Sequence, residues 1–403
     1  MAKSGSLDFS CTVHAPRDAV YRALTERSEL IEWFCDKAVV SPREGGAFLF
    51  EWNSGWWARG TFTKVRAPTT LAFTWLGPGE PKESRVAVDF KSVKAGTRVA
   101  IRHAGLGTGG KWASARKEIE AGWTDALENL KSVLETGLDL RFTRRPMLGV
   151  GFDLITPEKA KAEGLKTKHG IKINQLTDGG AALKAGLHTG DILVTLAGRP
   201  LKGWNDLVNA LQEHRAGDVV EARFHRDGET QKVKVTLGAR HFPEIPASHS
   251  EAVATLRKPR DELCAELETL IAGVDERQAE ISPAPGKWCA KEVLAHLIYT
   301  ETLLHTDIIR GFAGERGEES DNIAVYPEAL SAILAVHPDL PSLAGRLRNE
   351  MRQTVEVFAR LRPGFLARKA RYNGLYFTLF YYPDHTRHHF KQFQLALEGK
   401  SLS

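Results

Sequence analysis

Residues 179–193 read Gly-Gly-Ala-Ala-Leu-Lys-Ala-Gly-Leu-His-Thr-Gly-Asp-Ile-Leu, and this stretch decides the fold of the middle of the chain. Downstream of it, Asp227-Gly228 joins two alternating runs at 219–226 and 231–237. An Asp-Gly pair between alternating apolar and polar residues is a strong signal for a tight β-hairpin. Further apolar, glycine-bearing segments precede the stretch at 148–150 and 170–173. The pattern predicts a small β-rich domain over 141–240.

These segments together resemble a PDZ domain of the bacterial protease-associated, permuted type. The resemblance implies a β-sandwich or barrel with helices, whose groove binds the C-terminal peptide of a partner protein by strand addition. It assigns peptide binding to a loop and a helical wall that comprise Met147, Leu148, Gly149, Val150, Leu207 and Leu211. The alternative is that these apolar residues pack inward and the groove is closed. Neither a GDSGG-like phrase nor HExxH occurs in the sequence, so the usual protease partner is missing.

The region before it, 5–138, mixes strand and helix signals. An alternating run at 7–13 predicts a strand, and Pro16 then marks the start of a helix pair. Strand-like runs follow at 47–52, 57–65, 71–75, 84–91 and 97–103. A long helix is predicted over 113–135, with one apolar face formed by Ile119, Trp123, Leu127, Leu130 and Leu134.

This order, and above all the phrase Gly-Trp-Thr-Asp-Ala-Leu-Glu-Asn-Leu-Lys at 122–131, resembles the AHSA-type branch of the START/SRPBCC superfamily. The resemblance implies a helix-grip fold, in which a curved sheet surrounds a long helix and a cavity. Seven tryptophans fall in the region, at positions 33, 52, 56, 57, 75, 112 and 123. They indicate either core and rim packing or an aromatic-lined pocket for an apolar small molecule.

The last region, 249–399, follows a Pro-bearing linker at 241–248 and has a helical pattern. Helices are predicted over 252–271, 289–312 and 340–361 and from about 383 to 397. Four helices in this length predict an all-α four-helix bundle with a long crossover at 313–339. The whole chain is therefore predicted to be a multidomain α+β protein with three domains.

Histidines in this region are the candidate metal ligands. His385 and His389 are four residues apart, so they lie on one face of a helix and can reach one cation. A third ligand must come from another helix, and His296 lies in an apolar stripe that should face the bundle core. His305, nine residues further on, falls on the opposite face. The alternative is one core histidine and two surface histidines.

The phrases Pro-Gly-Lys-Trp at 285–288, Lys-Glu-Val-Leu-Ala-His-Leu at 291–297 and Asp-His-Thr-Arg-His-His at 384–389 resemble the DinB/YfiT family of helical bundles. The resemblance implies a divalent metal held by His296, His385 and His389, and some members transfer low-molecular-weight thiols. Three imidazoles leave coordination positions open, and Zn or Ni is slightly favoured. Asp384 is a candidate to orient an imidazole. No general base or nucleophile is apparent, so no catalytic residue is predicted.

Composition excludes several classes of protein. Lys and Arg number 55 against 50 Asp and Glu, a net charge of +5 without a dense basic run, so nucleic-acid binding has little support. No apolar stretch approaches the length of a membrane span. The glycine-rich loop at 105–112 has Trp112 where a phosphate loop needs a hydroxyl, so no nucleotide cofactor is predicted. Four widely spaced cysteines and an N-terminus without an apolar signal core predict a cytoplasmic protein.

Three functions remain open on the sequence. The first is a cytoplasmic multidomain binding protein, with a PDZ module for partner C-termini, a possible apolar cavity and a divalent-metal site. The second is a metal-dependent thiol S-transferase whose other domains recruit substrates. The third, a co-chaperone-like stress protein, rests on the AHSA-type resemblance alone.

Overall fold

The computed structural model describes residues 5–107, 109–110, 112–312 and 326–400. It forms two compact units, Met1–His241 and Phe242–Ser403. The first unit contains two antiparallel sheets and the second is helical, which confirms the predicted α+β class. Thr108 and Lys111 of the glycine-rich loop lie outside the described residues, and so does 313–325 of the predicted crossover.

The first sheet contains seven strands: β1 (Gly5–Val13), β2 (Lys37–Val40), β3 (Ala47–Glu51), β4 (Trp57–Arg66), β5 (Thr70–Trp75), β6 (Ser84–Val93) and β7 (Gly96–Leu106). Their order is β1-β7-β6-β5-β4-β3-β2. The sequence predicted six of them and missed β2. That strand has four residues and one buried side chain, which is too short for an alternation pattern to be recognised.

The same domain contains three helices, α1 (Arg17–Thr25), α2 (Arg27–Trp33) and α3 (Trp112–Thr136). Four of the five residues of the predicted apolar face of α3, Trp123 among them, are buried, and Leu134 is half-buried. The indole Nε1 of Trp123 donates to Nδ1 of His103 on β7 at 3.1 Å. Helix and sheet are thus joined by both apolar packing and a buried hydrogen bond, as the helix-grip expectation requires.

The PDZ-type region follows, with helices α4 (Leu140–Thr143), α5 (Pro157–Ala162), α6 (Ala181–Lys184) and α7 (Trp204–Gln212). Its strands are β8 (Val150–Ile155), β9 (Gly170–Leu176), β10 (Ile192–Leu196), β11 (Arg199–Pro200), β12 (Val219–Arg226) and β13 (Glu229–Thr236). The sheet order is β13-β12-β10-β9-β8, and β11 pairs with β10. Asp227 and Gly228 have φ of +51° and +80°, as the predicted tight hairpin requires.

The second unit contains α8 (His249–Ile271), α9 (Ala290–Phe312), α10 (Pro327–Val336), α11 (Leu340–Ala359), α12 (Pro363–Leu366) and α13 (Lys369–Leu397). The four long helices contact one another in the cyclic order α8-α11-α9-α13 around an apolar core. The bundle was predicted correctly, but α10 and α12 were missed and the start of α13 was misplaced. The segment 313–339 contains α10, and α13 begins at Lys369 rather than near Pro383, which lies inside it.

Candidate functional site

The inner face of α13 carries two of the three predicted metal ligands, and the helix continues past a proline to present them. Pro383 lacks an amide hydrogen, so the carbonyl of Leu379, four residues earlier, loses its helical donor. Arg260 of α8 replaces that donor, because its Nη1 donates to the Leu379 oxygen at 3.1 Å. Helix α13 therefore remains continuous and presents His385 and His389 on one face.

His296 of α9 meets this pair. One ligand nitrogen from each of His296, His385 and His389 lies within 4.8 Å of the other two. The ring centroid of His389 is 4.5 Å from that of His296 and 4.5 Å from that of His385. Nitrogens that bind one tetrahedral ion at about 2.1 Å are about 3.4 Å apart, so movements of about 1 Å bring all three into range.

All three imidazoles are held in the neutral form. Burial lowers the pKa of His296 to about 4, and the nearby His385 lowers it further. The pKa of His385 is likewise about 4, through burial and then the charge of His388. That of His389 falls to about 2, first through burial and then through the other two rings. Because a metal binds the neutral imidazole, the cluster has the protonation state that ligation requires.

Hydrogen bonding around the rings also fits a metal centre. Nδ1 of His296 and Nδ1 of His385 are buried without a hydrogen-bond partner among the described residues. Nδ1 of His389 lies 2.7 Å from Oε1 of Gln392, which orients the ring and leaves Nε2 for an ion. Buried polar atoms without partners are rare in folded proteins. Two of them on adjacent imidazoles therefore favour a bound ligand here.

Two residues that the sequence raised lie apart from the cluster. His388 is exposed, and its ring stands at 88° to that of His389. Asp384 is also exposed and makes no hydrogen bond to an imidazole within the described part of the chain. Gln392 occupies the orienting position that was predicted for Asp384. Its spacing of three residues from His389 on the same helix was a signal that the sequence analysis did not use.

His305 points into a different part of the bundle core, as its position on α9 predicted. Its Nε2 lies 2.7 Å from Oγ1 of Thr354, and its Nδ1 lies 3.1 Å from the carboxylate of Glu350. The Thr354 hydroxyl in turn donates to Oε2 of Glu301 at 2.6 Å. No local sequence pattern indicated this buried polar network, because its members come from two helices far apart in the chain.

The predicted carboxylate-binding loop leads into β8. Met147 pairs with Gly238, and its amide donates to the Gly238 carbonyl at 2.8 Å. Gly149 has a φ of +77°, a conformation that favours glycine. The amides of Leu148 and Gly149 have no backbone acceptor in the described part of the chain.

Strand β8 and helix α7 pack together beside this loop. Strand β8 lies at the edge of its sheet and has a side free for strand addition. Leu207 and Leu211 of α7 are buried with Leu148 in the domain core. Phe152 of β8 and Trp204 of α7 stack with ring centroids 5.8 Å apart and planes at 18°. A peptide that enters between β8 and α7 must therefore separate this aromatic pair.

The first domain encloses a small aromatic void. Its walls are formed by Leu24, Leu30, Trp33, Phe34, Phe48, Phe50, Phe62, Phe73, Trp75 and Trp123. The void measures about 20 Å³, which is room for about one water molecule. An apolar ligand would fit only after several rings had moved.

His103 beside these rings has a structural role. The indole of Trp123 can only donate, so Nδ1 of His103 accepts from it and Nε2 carries the proton. That proton is donated to Oγ of Ser84 at 2.7 Å, and Ser84 donates to the Trp75 carbonyl at 3.1 Å. Burial lowers the pKa of His103 to about 4. The ring is therefore a fixed, neutral bridge between α3 and the sheet.

Comparison with known families agrees with this three-part architecture. The model of the activator of Hsp90 ATPase homolog 1-like protein family matches residues 14–135, the PDZ domain model matches 146–237, and the DinB superfamily model matches 247–393. The chain therefore carries an AHSA1-type, a PDZ and a DinB-type domain in the predicted order.

Individual relatives match shorter parts of the chain. A probable periplasmic serine endoprotease, DegP-like, of Pseudomonas fluorescens is 30% identical over 115 residues, which cover 28% of this chain and 24% of that protein. The periplasmic pH-dependent serine endoprotease DegQ of Escherichia coli is 29% identical over 100 residues, 25% of this chain and 22% of that protein. The chain thus matches about a quarter of the length of these curated relatives.

Solved structures cover about a third of the chain. The Aha1 dimer of Colwellia psychrerythraea is 20% identical and covers 32% of this chain and 96% of its own, with a TM-score of 0.30. An HSP90 activator of Plasmodium falciparum is 24% identical and covers 32% and 95%, with a TM-score of 0.28. Among the residues that the structure describes, no helix is both long and apolar enough to cross a membrane.

Proposed function

We propose that this chain is a multidomain binding protein whose C-terminal bundle holds one divalent transition metal through His296, His385 and His389. The observation that carries the proposal is the approach of three neutral imidazoles, one buried and two half-buried, to within 4.8 Å of one another. Three protein ligands leave a coordination position for water or another ligand. Bound there, the metal would supply a Lewis acid at the bundle core. Imidazole ligands suit Zn and Ni, and these are the metals we favour.

Metal content tests this proposal directly. We expect the full-length chain, purified without chelators and dialysed, to retain about one divalent metal per chain by elemental analysis, since three converging imidazoles make a site of high affinity. The chain should rebind one equivalent after chelation. A chain that neither retains nor rebinds metal would contradict the proposal.

The PDZ domain supplies the second part of the proposed function, which is recruitment of a partner through its free C-terminus. The support is the edge strand β8 and the two loop amides of Leu148 and Gly149 without backbone partners in the described chain. Leu207 and Leu211 would favour an apolar last residue in the peptide once the stacked pair Phe152 and Trp204 separates and opens the groove. The cytoplasm remains the proposed location, and four free cysteines agree with a reducing compartment.

A peptide that ends in Val or Leu should bind, and its C-terminal amide should bind at least about tenfold more weakly. The reason is that a carboxylate makes charge-assisted hydrogen bonds to the loop amides and a neutral amide does not. A titration followed by tryptophan fluorescence would also report the separation of Trp204 from Phe152. The signal of the other eight tryptophans is measured with a Trp204→Phe variant and subtracted. Equal affinity for acid and amide would remove the peptide-recognition role.

The thiol-transferase function is the second candidate, favoured by the open coordination position. Burial raises the pKa of Cys264 and of Cys289, so the cysteines of the bundle itself are poor nucleophiles. A thiol substrate would therefore have to come from outside the chain. Thiol-dependent consumption of a model electrophile by the metal-loaded chain separates this function from binding alone.

A further inference from the structure

Arg260 of α8 is a buried guanidinium with three of its five N–H donors unused. The side chain is 2% exposed. Its Nη1 donates to the carbonyls of Leu379 at 3.1 Å and Leu256 at 3.5 Å. Its Nε and Nη2 are buried and have no hydrogen-bond partner in the described chain. These two nitrogens form the edge of the guanidinium that pairs with a carboxylate through two parallel hydrogen bonds.

No carboxylate of the described residues lies within 4.0 Å of Arg260. Glu301 of α9 is close enough for its charge to interact with the guanidinium, yet its Oε2 accepts from Thr354 instead. A buried donor that makes no hydrogen bond destabilises the fold, and more so when the donor is charged. The unused edge of Arg260 is therefore an unsatisfied position that a further group would stabilise.

Tyr382 of α13 connects Arg260 to the histidine cluster. Its ring centroid is 5.3 Å from that of His385. Its hydroxyl is buried and has no hydrogen bond of normal geometry in the described chain. Burial raises the pKa of this hydroxyl, and the nearby Thr300 lowers it by a smaller amount. Its charge would also interact with those of Arg260 and Glu301.

Several polar side-chain atoms of the bundle core have no hydrogen-bond partner in the described chain. They include Nδ1 of His296, Nδ1 of His385, the Tyr382 hydroxyl, and Nε and Nη2 of Arg260. Native structures contain few such atoms, and a bound ion, water or ligand is one explanation for them. A bound metal would account for the unpartnered nitrogens of the two histidines but not for those of Arg260.

We propose that Arg260 and Tyr382 form the recognition site for the carboxylate of a small molecule, beside the three histidines. A carboxylate is planar, and its two oxygens match the Nε and Nη2 edge, with the Tyr382 hydroxyl as a third donor. The nearby Glu301 disfavours a doubly charged phosphate. A small carboxylate is therefore the proposed ligand class of the metal site. This inference rests on the proposed function only in placing the ligand next to a metal.

The test uses the full-length chain, both metal-loaded and chelated, and titrates it with ¹³C-acetate by NMR at pH 7.5 and constant ionic strength. Acetate should bind saturably, and acetamide, its neutral counterpart, at least about tenfold more weakly, because it cannot replace the charge-assisted bonds. Phosphate should bind more weakly than acetate. In the chelated sample acetate cannot bind directly to a metal. A lack of acetate binding at Arg260 and Tyr382 can therefore be distinguished from a lack of metal binding at the three histidines.

Two variants locate the binding. Arg260→Lys and Tyr382→Phe should each weaken acetate binding by about tenfold, while Arg257→Lys should not. Arg257 is the matched control, since it lies on the same helix but is exposed and paired with Glu356 at 3.0 Å. Arg260 also bonds to the Leu379 carbonyl, so its variant can fail to fold; Tyr382→Phe leaves that bond intact and decides the result. Equal binding of acetate and acetamide, tighter binding of phosphate, or unchanged acetate binding by Tyr382→Phe would overturn the proposal.

Discussion

Replacement of Arg226 with methionine is expected to lower the free energy of unfolding of the PDZ domain by about 3–5 kcal/mol. Arg226 lies at the end of β12, and its Nε and Nη2 each donate to one carboxylate oxygen of Asp191 at 2.7 Å. Asp191 is 1% exposed. Without Arg226 the aspartate remains buried with its charge unpaired, which is the costly way to break an ion pair.

A second substitution should reverse part of this loss. Asp191→Asn combined with Arg226→Met removes the buried charge and retains a side-chain acceptor for the amide of His188, which now donates to Asp191 at 2.8 Å. We expect the double variant to be more stable than Arg226→Met alone by about 2 kcal/mol, within the usual range of coupling between contacting residues. A double variant less stable than Arg226→Met would show that the charge is not the cause.

Hydrogen exchange with mass spectrometry is the suitable measurement, because a multidomain chain does not unfold in one two-state step. Peptides from β10 and β12 should lose protection in Arg226→Met. Arg223→Met is the matched control on the same strand, since Arg223 and its partner Glu221 form an exposed pair at 3.0 Å. Its exchange should match that of the unmodified chain.

This ion pair shows what the sequence at 179–193 could predict and what it could not. The phrase at 186–193 identified the PDZ fold, and its physical basis is local: Gly186 and Gly190 have φ of +81° and +95°, and Asp191 accepts the amide of His188. Arg226, 35 residues later, also bonds to Asp191. Nothing in a local pattern indicates such a partner, so the phrase predicted the fold without the contact that stabilises it.

Helix α13 shows a local rule overridden by a distant residue. Proline inside a helix removes one hydrogen bond and usually ends or kinks it, so the sequence predicted that a helix began near Pro383. In the structure the freed carbonyl of Leu379 accepts from Arg260, and the helix extends back to Lys369. The candidate site was likewise predictable only where its residues are close together in the sequence. The spacing of His385 and His389 is local, whereas Arg260 and Tyr382 required the packing of α8 against α13.

Loss of His385 is expected to have the largest effect on metal binding. His385→Ala should lower metal affinity by at least about 100-fold, because it removes one of three ligands, and loss of residues that merely orient a ligand already costs about 10–100-fold. His388→Ala is the matched control: it is the same change three residues away, on an exposed ring outside the cluster. Competition with a chromophoric chelator measures both affinities.

A graded result would separate a metal centre from a nonspecific histidine cluster. Gln392→Ala should fall between the two variants, at about 10–100-fold weaker binding, since Gln392 contacts Nδ1 of His389 at 2.7 Å and orients its ring. His305→Ala should leave metal affinity unchanged while it weakens the bundle, because its partners are Thr354 and Glu350 rather than the cluster. Nonspecific binding to surface histidines predicts the opposite order, in which exposed His388 matters at least as much as His385. Equal losses for His385→Ala and His388→Ala would therefore show that the convergence of the three imidazoles in the bundle core does not form a metal site.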